Sequence, residues 1–214
     1  MTEIDVEHQI NAVQRTLGTR TIDAGEAQVI TISQSYDTDQ EDLWDAVTDI
    51  ERIPRWFLPI SGDLLVGGAY QLEGQAGGTI LTCDPPKNFT ATWEYGGNVS
   101  WIDVSVSSDG PDRARLVLEH ITDANDEIWR EFGPGAVGMG WDSMLLGLAL
   151  HLATGEAVDP SFGQQWLGTD DGRRFLALSG EQWYAANVAL GVDPAAAREL
   201  ADRCLKAYLG EEEN

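Results

Sequence analysis

The chain has 214 residues, 43% of them apolar and 23% charged, with eight tryptophans; that suits one domain, or one domain with an extension, around a large core or an aromatic-lined pocket. Thirteen basic against 36 acidic residues leave a net charge of −23, a surface that repels phosphate backbones and anionic lipid and argues against nucleic acid and membrane as partners. The two cysteines, Cys83 and Cys204, make no disulfide framework and are expected as reduced packing residues of a cytoplasmic protein. The opening MTEIDVEHQI lacks the regions of a signal peptide, and the longest apolar run, around Met144–Ala153, is shorter than the roughly 18 residues of a membrane span.

Residues 1–27 are expected to be a helical extension, from the spacing of Ile4, Ile10, Val13 and Leu17 with Gly18 as a stop. Gln28–Tyr36 alternates as a first strand. Thr38-Asp39-Gln40-Glu41 has the capping-box pattern, with Thr38 as the cap of a short helix carrying Leu43, Trp44, Val47 and Ile50. A second short helix after Pro54 is expected to carry Trp56 and Phe57. The period then changes to two, which predicts strands at Leu64–Glu73, Thr79–Cys83, Phe89–Tyr95, Val99–Ser107 and Arg113–Thr122. The turn signals between them (Gly77-Gly78, Asp84-Pro85-Pro86, Gly96-Gly97-Asn98, Asp109-Gly110-Pro111) imply hairpins and an antiparallel sheet. A long helix follows at Pro134–Ala153, with Val137, Trp141, Met144, Leu145, Leu148 and Leu152 on one stripe and Met139, Leu146 and Leu150 on the other side. Val158–Ser161 reads as a linker, and Gly172–Leu190 and Asp193–Leu209 as two helices, the second with Asp193 as cap and Gly210 as stop.

The order of strand, two short helices, antiparallel strands and long helix resembles the helix-grip fold of the START-like (SRPBCC, birch-pollen-allergen-like) superfamily. "DLWDAVTDIERIPRWF", "GDLLVGGAYQLEG", "GGTILTCDPPKNFTATWE" and "ARLVLEH" carry the resemblance over about 28–153, and together they resemble the branch named for activators of the heat-shock-protein-90 ATPase. The resemblance implies an α+β domain at 28–159, a curved antiparallel sheet wrapped around the long helix with a cavity between them. Residues 160–214 are then an added helical extension packed on that helix. It further implies that Trp56, Phe57, Tyr70, Trp93, His120, Trp141 and Leu145 line the cavity. Members of the superfamily include lipid carriers, hormone receptors, cyclases, self-resistance proteins and co-chaperones, so the fold alone names no function.

The residues give little sign of catalysis. Gly133-Pro134-Gly135-Ala136-Val137-Gly138 matches G-x-G-x-x-G, with Asp159 about 20 residues on, but no buried strand precedes it, so a dinucleotide site is not expected. His8, His120 and His151 have no metal-ligand spacing, and no metal or other cofactor is expected. His120 shares strand parity with Leu116 and Leu118 and is expected to point inward, either as a hydrogen-bonded core histidine or as a polar group reaching the cavity. His151, near the end of the long helix, suits the helix dipole as a cation. Glu94, Asp103 and Glu119 are expected on an outward, solvated face. Ala136, Gly140, Ser143 and Gly147 form a small-residue strip for close packing. The expected function is binding of a small hydrophobic or aromatic molecule, without catalysis, in a monomer or homodimer. The alternatives are a co-chaperone-like protein-interaction domain and a cyclase- or hydrolase-type enzyme using His120.

Overall fold

A computed structural model describes residues 4–22, 25–158 and 160–211. The helices are α1 (Val6–Ala12), α2 (Gln40–Thr48), α3 (Glu127–Phe132), α4 (Gly135–Thr154), α5 (Pro160–Leu167), α6 (Asp170–Ala189) and α7 (Pro194–Leu209), with a 3₁₀ turn at Ile53–Arg55. The strands are β1 (Gln14–Ile22), β2 (Gly25–Tyr36), β3 (Ile60–Gly62), β4 (Ala69–Leu72), β5 (Gly77–Asp84), β6 (Asn88–Tyr95), β7 (Asn98–Ser108) and β8 (Ala114–Asp123). They form one curved, open antiparallel sheet in the order β1-β2-β8-β7-β6-β5-β4-β3, and the fold is an α+β helix grip. Contacts divide the chain into two compact units, 33–122 with 144–160, and 1–32 with 123–143 and 161–214. The boundaries expected at 27/28 and 159/160 therefore do not coincide with the compact units, because β2 and α4 each contribute to both; Asp159 itself lies outside the described residues.

In the unit built on 33–122, the register of the strands decides which side chains face inward. Ile80 pairs with Ala91, Ala91 with Ile102 and Ile102 with His120, so these four residues form one row across β5 to β8, and all are buried. The β6–β7 connection is the two-residue loop Gly96-Gly97, both with positive φ (59° and 86°), as a hairpin whose turn must follow the strand twist requires. Leu81 is skipped where the β5–β6 register shifts between Ile80 and Thr82, which marks a bulge. The strand expected at Leu64–Glu73 shrinks to Ala69–Leu72, because Gly67 and Gly68 bond instead to the backbone of Ile80 and hold 63–68 as a loop. Helix α2 is capped by Asp39, whose carboxylate accepts from the Asp42 N–H, and not by Thr38, whose hydroxyl donates to the Asp42 side chain at 2.5 Å. Leu43 and Ala46 of α2 are fully buried, and Trp44 meets Phe89 edge to face at 6.2 Å. The second short helix is only the 3₁₀ turn, and Trp56 and Phe57 follow it rather than lie on it.

In the other unit, the helix expected through Gly18 stops at Ala12 and 14–22 is a strand. Thr16, Thr19 and Thr21 are β-branched, and this outweighs the loose helical spacing of the apolar residues. The C-terminal part has three helices, not two, since α5 begins at Pro160 inside the expected linker. Asp193 caps α7 by accepting from the Ala195 and Ala196 N–H groups, and Gly210 ends it with φ 68°. Helices α6 and α7 seat the Trp183 and Cys204 side chains directly on glycines in the first half of α4. A Cβ on Gly138 would fall inside the Trp183 ring, and one on Gly135 would lie 3.1 Å from the Cys204 sulfur.

A buried ion pair sits at the centre of this unit. Arg15 Nε and Nη2 donate to the Asp142 carboxylate at 2.8–3.1 Å, and Nη1 donates to the carbonyls of Ile10 and Val13. Ser179 Oγ and Trp183 Nε1 donate to Asp142 Oδ2 at 2.5 and 2.9 Å. Both charges are almost wholly removed from water, and this set of hydrogen bonds is what makes their burial tolerable. Helix α4 is long and apolar enough by length and composition to cross a membrane, with a mean hydropathy of 1.3. Its buried, Arg-paired Asp142 and fully buried Leu145 and Leu148 identify it as a core helix.

Candidate functional site

The inner face of the sheet ends in a polar corner. His120 on β8 is 3% exposed, and its ring meets the edge of Trp93 on β6 at 6.2 Å and 70°. Trp93 pairs with Ser100, whose hydroxyl donates to the Trp93 carbonyl at 3.0 Å. Two residues beyond His120, on the same side of β8, lies Thr122, 7% exposed. Continuing the β7–β8 register places Thr122 opposite Ser100. Thr122 Oγ1 is the one buried side-chain polar atom among the described residues with no hydrogen-bond partner. Tyr70 on β4 is buried, with its hydroxyl donating to the Thr92 carbonyl at 2.7 Å.

Burial controls the titration of this corner. Desolvation lowers the His120 pKa to about 4, so the ring is neutral at physiological pH. Burial, reinforced by Glu94, pushes the Tyr70 hydroxyl well above its ordinary value. The charged residues of β6, β7 and β8 lie on the other parity. Glu94 is exposed, and Asp103 and Glu119, which face each other across β7 and β8, are half-buried, as are Arg115 and Asp123. On these strands the inner residues Phe89, Ala91, Trp93, Ser100, Ile102, Val104, Leu118, His120 and Thr122 carry no formal charge at neutral pH.

The structure brings together only some of the residues expected in the cavity. Trp93 and His120 touch, and Tyr70 reaches the backbone beside Trp93. Trp56 and Phe57 stack on each other at 5.6 Å; Trp56 is buried with its Nε1 donating to the Ala46 carbonyl at 2.8 Å, and Phe57 is half-buried. A Cβ on Gly147 of α4 would lie 2.5 Å from the Trp56 carbonyl, so the small residue there serves close helix approach. Leu145 is fully buried, and its carbonyl lies 3.5 Å from the Tyr36 hydroxyl. Trp141 is buried but belongs to the other compact unit, beside the Asp142 cluster in sequence.

Other candidates resolve into structural roles. His151 is not solvated at the end of the helix: it is 2% exposed, Arg52 Nε approaches Nε2 at 3.4 Å, and Nδ1 is 2.7 Å from the Glu156 carbonyl. A guanidinium has only donors, so Nε2 accepts and the proton sits on Nδ1. Arg52 also binds Asp42 and Asp45, and its hydrogen bond to Asp42 is the main cause that lowers the Asp42 pKa. The glycine run at 133–138 follows helix α3 rather than a strand, and two of its glycines admit Trp183 and Cys204. No group of three or more metal-ligating side chains occurs among the described residues. A cleft beside Met139, Trp183 and Cys204 has a volume of only about 10 Å³, room for about one water. Sequence reasoning missed Thr122 and the Asp142 cluster. The signal for the second was present: Asp142 is the only acidic residue in a 20-residue, largely apolar helix.

The family model described as Activator of Hsp90 ATPase homolog 1-like protein matches residues 37–153. The crystal structure of CalU16 from Micromonospora echinospora is 36% identical, with a TM-score of 0.65 over 82% of this chain and 98% of that one. Its solution NMR structure is 35% identical, with a TM-score of 0.71 over 84% and 97%. DynU16, from the dynemicin biosynthetic locus, is 17% identical over 60% of this chain and 48% of its own, with a TM-score of 0.54, a likeness of fold alone. Among curated proteins no relative matches.

Proposed function

Because the chain belongs to the Activator of Hsp90 ATPase homolog 1-like branch of the START-like superfamily, we propose that it binds a small hydrophobic or aromatic molecule against the inner face of β4–β8. The observation that carries this reading is the buried Thr122 hydroxyl, which lacks a protein partner on the face that presents His120 and Trp93. A buried hydroxyl left unpaired costs about 1–3 kcal/mol, and a ligand atom would recover that energy. Aromatic walls with one or two polar groups are the usual make-up of a small-molecule site. Trp56, Phe57, Tyr70 and Leu145 supply further apolar surface in the same compact unit. Trp141 is assigned to the cavity on the resemblance alone.

Binding without turnover is the better reading of the chemistry. A general base works best with a pKa near the working pH, whereas burial holds His120 at about 4. Both cysteines are free; the Cys204 thiol is pushed up to about 12 by burial, which suits a reduced packing residue, whereas Cys83 is exposed and does not pack as expected. A protein-interaction role is the second reading. It is favoured by Leu65 and Val66, which stand 70% and 60% exposed between β3 and β4.

Native mass spectrometry of gently purified protein, followed by tryptophan-fluorescence titration with aromatic compounds, tests the proposal. A retained small molecule, or saturable quenching lost in Trp93→Leu, is the expected result. Protein that carries nothing and binds no aromatic probe removes the ligand reading and leaves the interaction role.

A further inference from the structure

The inner corner also limits the chemical class of the molecule, an inference that rests on the binding function proposed above. An organic anion seated there would lose its hydration, and these strands offer it no cation: the charges of β6, β7 and β8 lie on the opposite parity, and four of the five are carboxylates. Burial keeps His120 from supplying a positive charge. The polar requirement is small and specific. Tyr70 and Ser100 already donate to strand carbonyls, and Thr122 Oγ1 is the unpartnered atom.

We infer that the site selects uncharged aromatic molecules bearing a hydroxyl or carbonyl oxygen, with the ring against Trp93 and that oxygen on the Thr122 hydroxyl, and that it rejects aromatic carboxylates of the same size. A phenol or enol donates to Oγ1, and a ketone accepts from it; threonine serves either, since a hydroxyl is both donor and acceptor.

Three probes of nearly equal shape test the inference by tryptophan fluorescence and calorimetry at pH 7.5: naphthalene, 2-naphthol and 2-naphthoate. The expected order is 2-naphthol, then naphthalene roughly two- to tenfold weaker for want of one hydrogen bond, with 2-naphthoate at least about a hundredfold weaker than 2-naphthol because its charge is buried unpaired. In Thr122→Val the preference for 2-naphthol over naphthalene falls toward unity, while Thr122→Ser retains it. Naphthoate binding as tightly as naphthol overturns the selectivity and leaves the binding function standing. A preference for naphthol that survives in Thr122→Val overturns the assignment of Thr122. Failure of all three probes removes the binding function itself, and the selectivity with it.

Discussion

Replacing Thr122 by valine should make the ligand-free protein more stable, although it removes a polar group from the proposed binding site. Valine has the shape and χ1 stiffness of threonine, so the substitution opens no cavity and forces no rotamer. What it removes is a hydroxyl that is 7% exposed and has no partner. Relieving that desolvation is worth about 1–2 kcal/mol, toward the lower end of the range for buried unsatisfied groups. At this chain length each kcal/mol moves the melting temperature by about 2–4 °C, so Tm should rise by about 2–8 °C. Urea unfolding should show a higher midpoint at unchanged slope. Thr122→Ser is the control: it keeps the hydroxyl, loses a methyl group and should be less stable than wild type by about 1 kcal/mol. A Thr122→Val protein destabilised by 1 kcal/mol or more would show that the hydroxyl is satisfied in solution, and the argument from it would fall.

Three further outcomes follow from the packing and the buried charges. Gly138→Ala should lose about 1–3 kcal/mol through overlap with Trp183, whereas Gly163→Ala on α5, where a Cβ meets nothing within 4 Å, should gain about 0.5–1 kcal/mol; urea denaturation giving both the same sign would refute the close-packing explanation. His120 has a folded pKa of about 4, below the unfolded value of roughly 6.5, so the unfolded state binds the extra proton and stability falls as pH drops through that window, with about 2 kcal/mol gone by pH 5. Stability measured from pH 7 to 5 should therefore be flatter in His120→Gln, and parallel curves would contradict a buried neutral imidazole. Asp142→Asn strands Arg15 as an uncompensated buried cation and should cost about 3–5 kcal/mol; Arg15→Met with Asp142→Leu should cost less than the sum of the two single changes, and strict additivity in denaturant unfolding would show that the pair is not coupled.

Much of the sheet was legible because its signals are local. The β6 and β7 boundaries fall within a residue of those expected, since alternation and a Gly-Gly turn are written in adjacent positions. The inward direction of His120 followed from parity with Leu116 and Leu118 in the same way. Strand β1 was misread because four apolar residues at loose helical spacing compete with three interspersed threonines, and only pairing to the sheet decides between them. Thr122 could not be found in advance: parity tells which face a hydroxyl is on, but not whether a partner waits there. Nor could the glycines at 135 and 138 be explained, because Cys204 and Trp183, the residues they admit, lie 69 and 45 positions further on.

The Asp142 cluster has a consequence for how the protein is made. Its donors come from Arg15, Ser179 and Trp183, so the carboxylate is synthesised after its cation and before its other two partners. Translation proceeds at about 5–20 residues per second, and throughout the interval between Asp142 and Trp183 the apolar helix around that carboxylate lacks the tryptophan that fills Gly138. The unit containing 33–122 has all its strands on the ribosome by then; the other unit cannot close until α6 has emerged. Nascent chains arrested before residue 183 should therefore hold protease-resistant strands and an accessible α4.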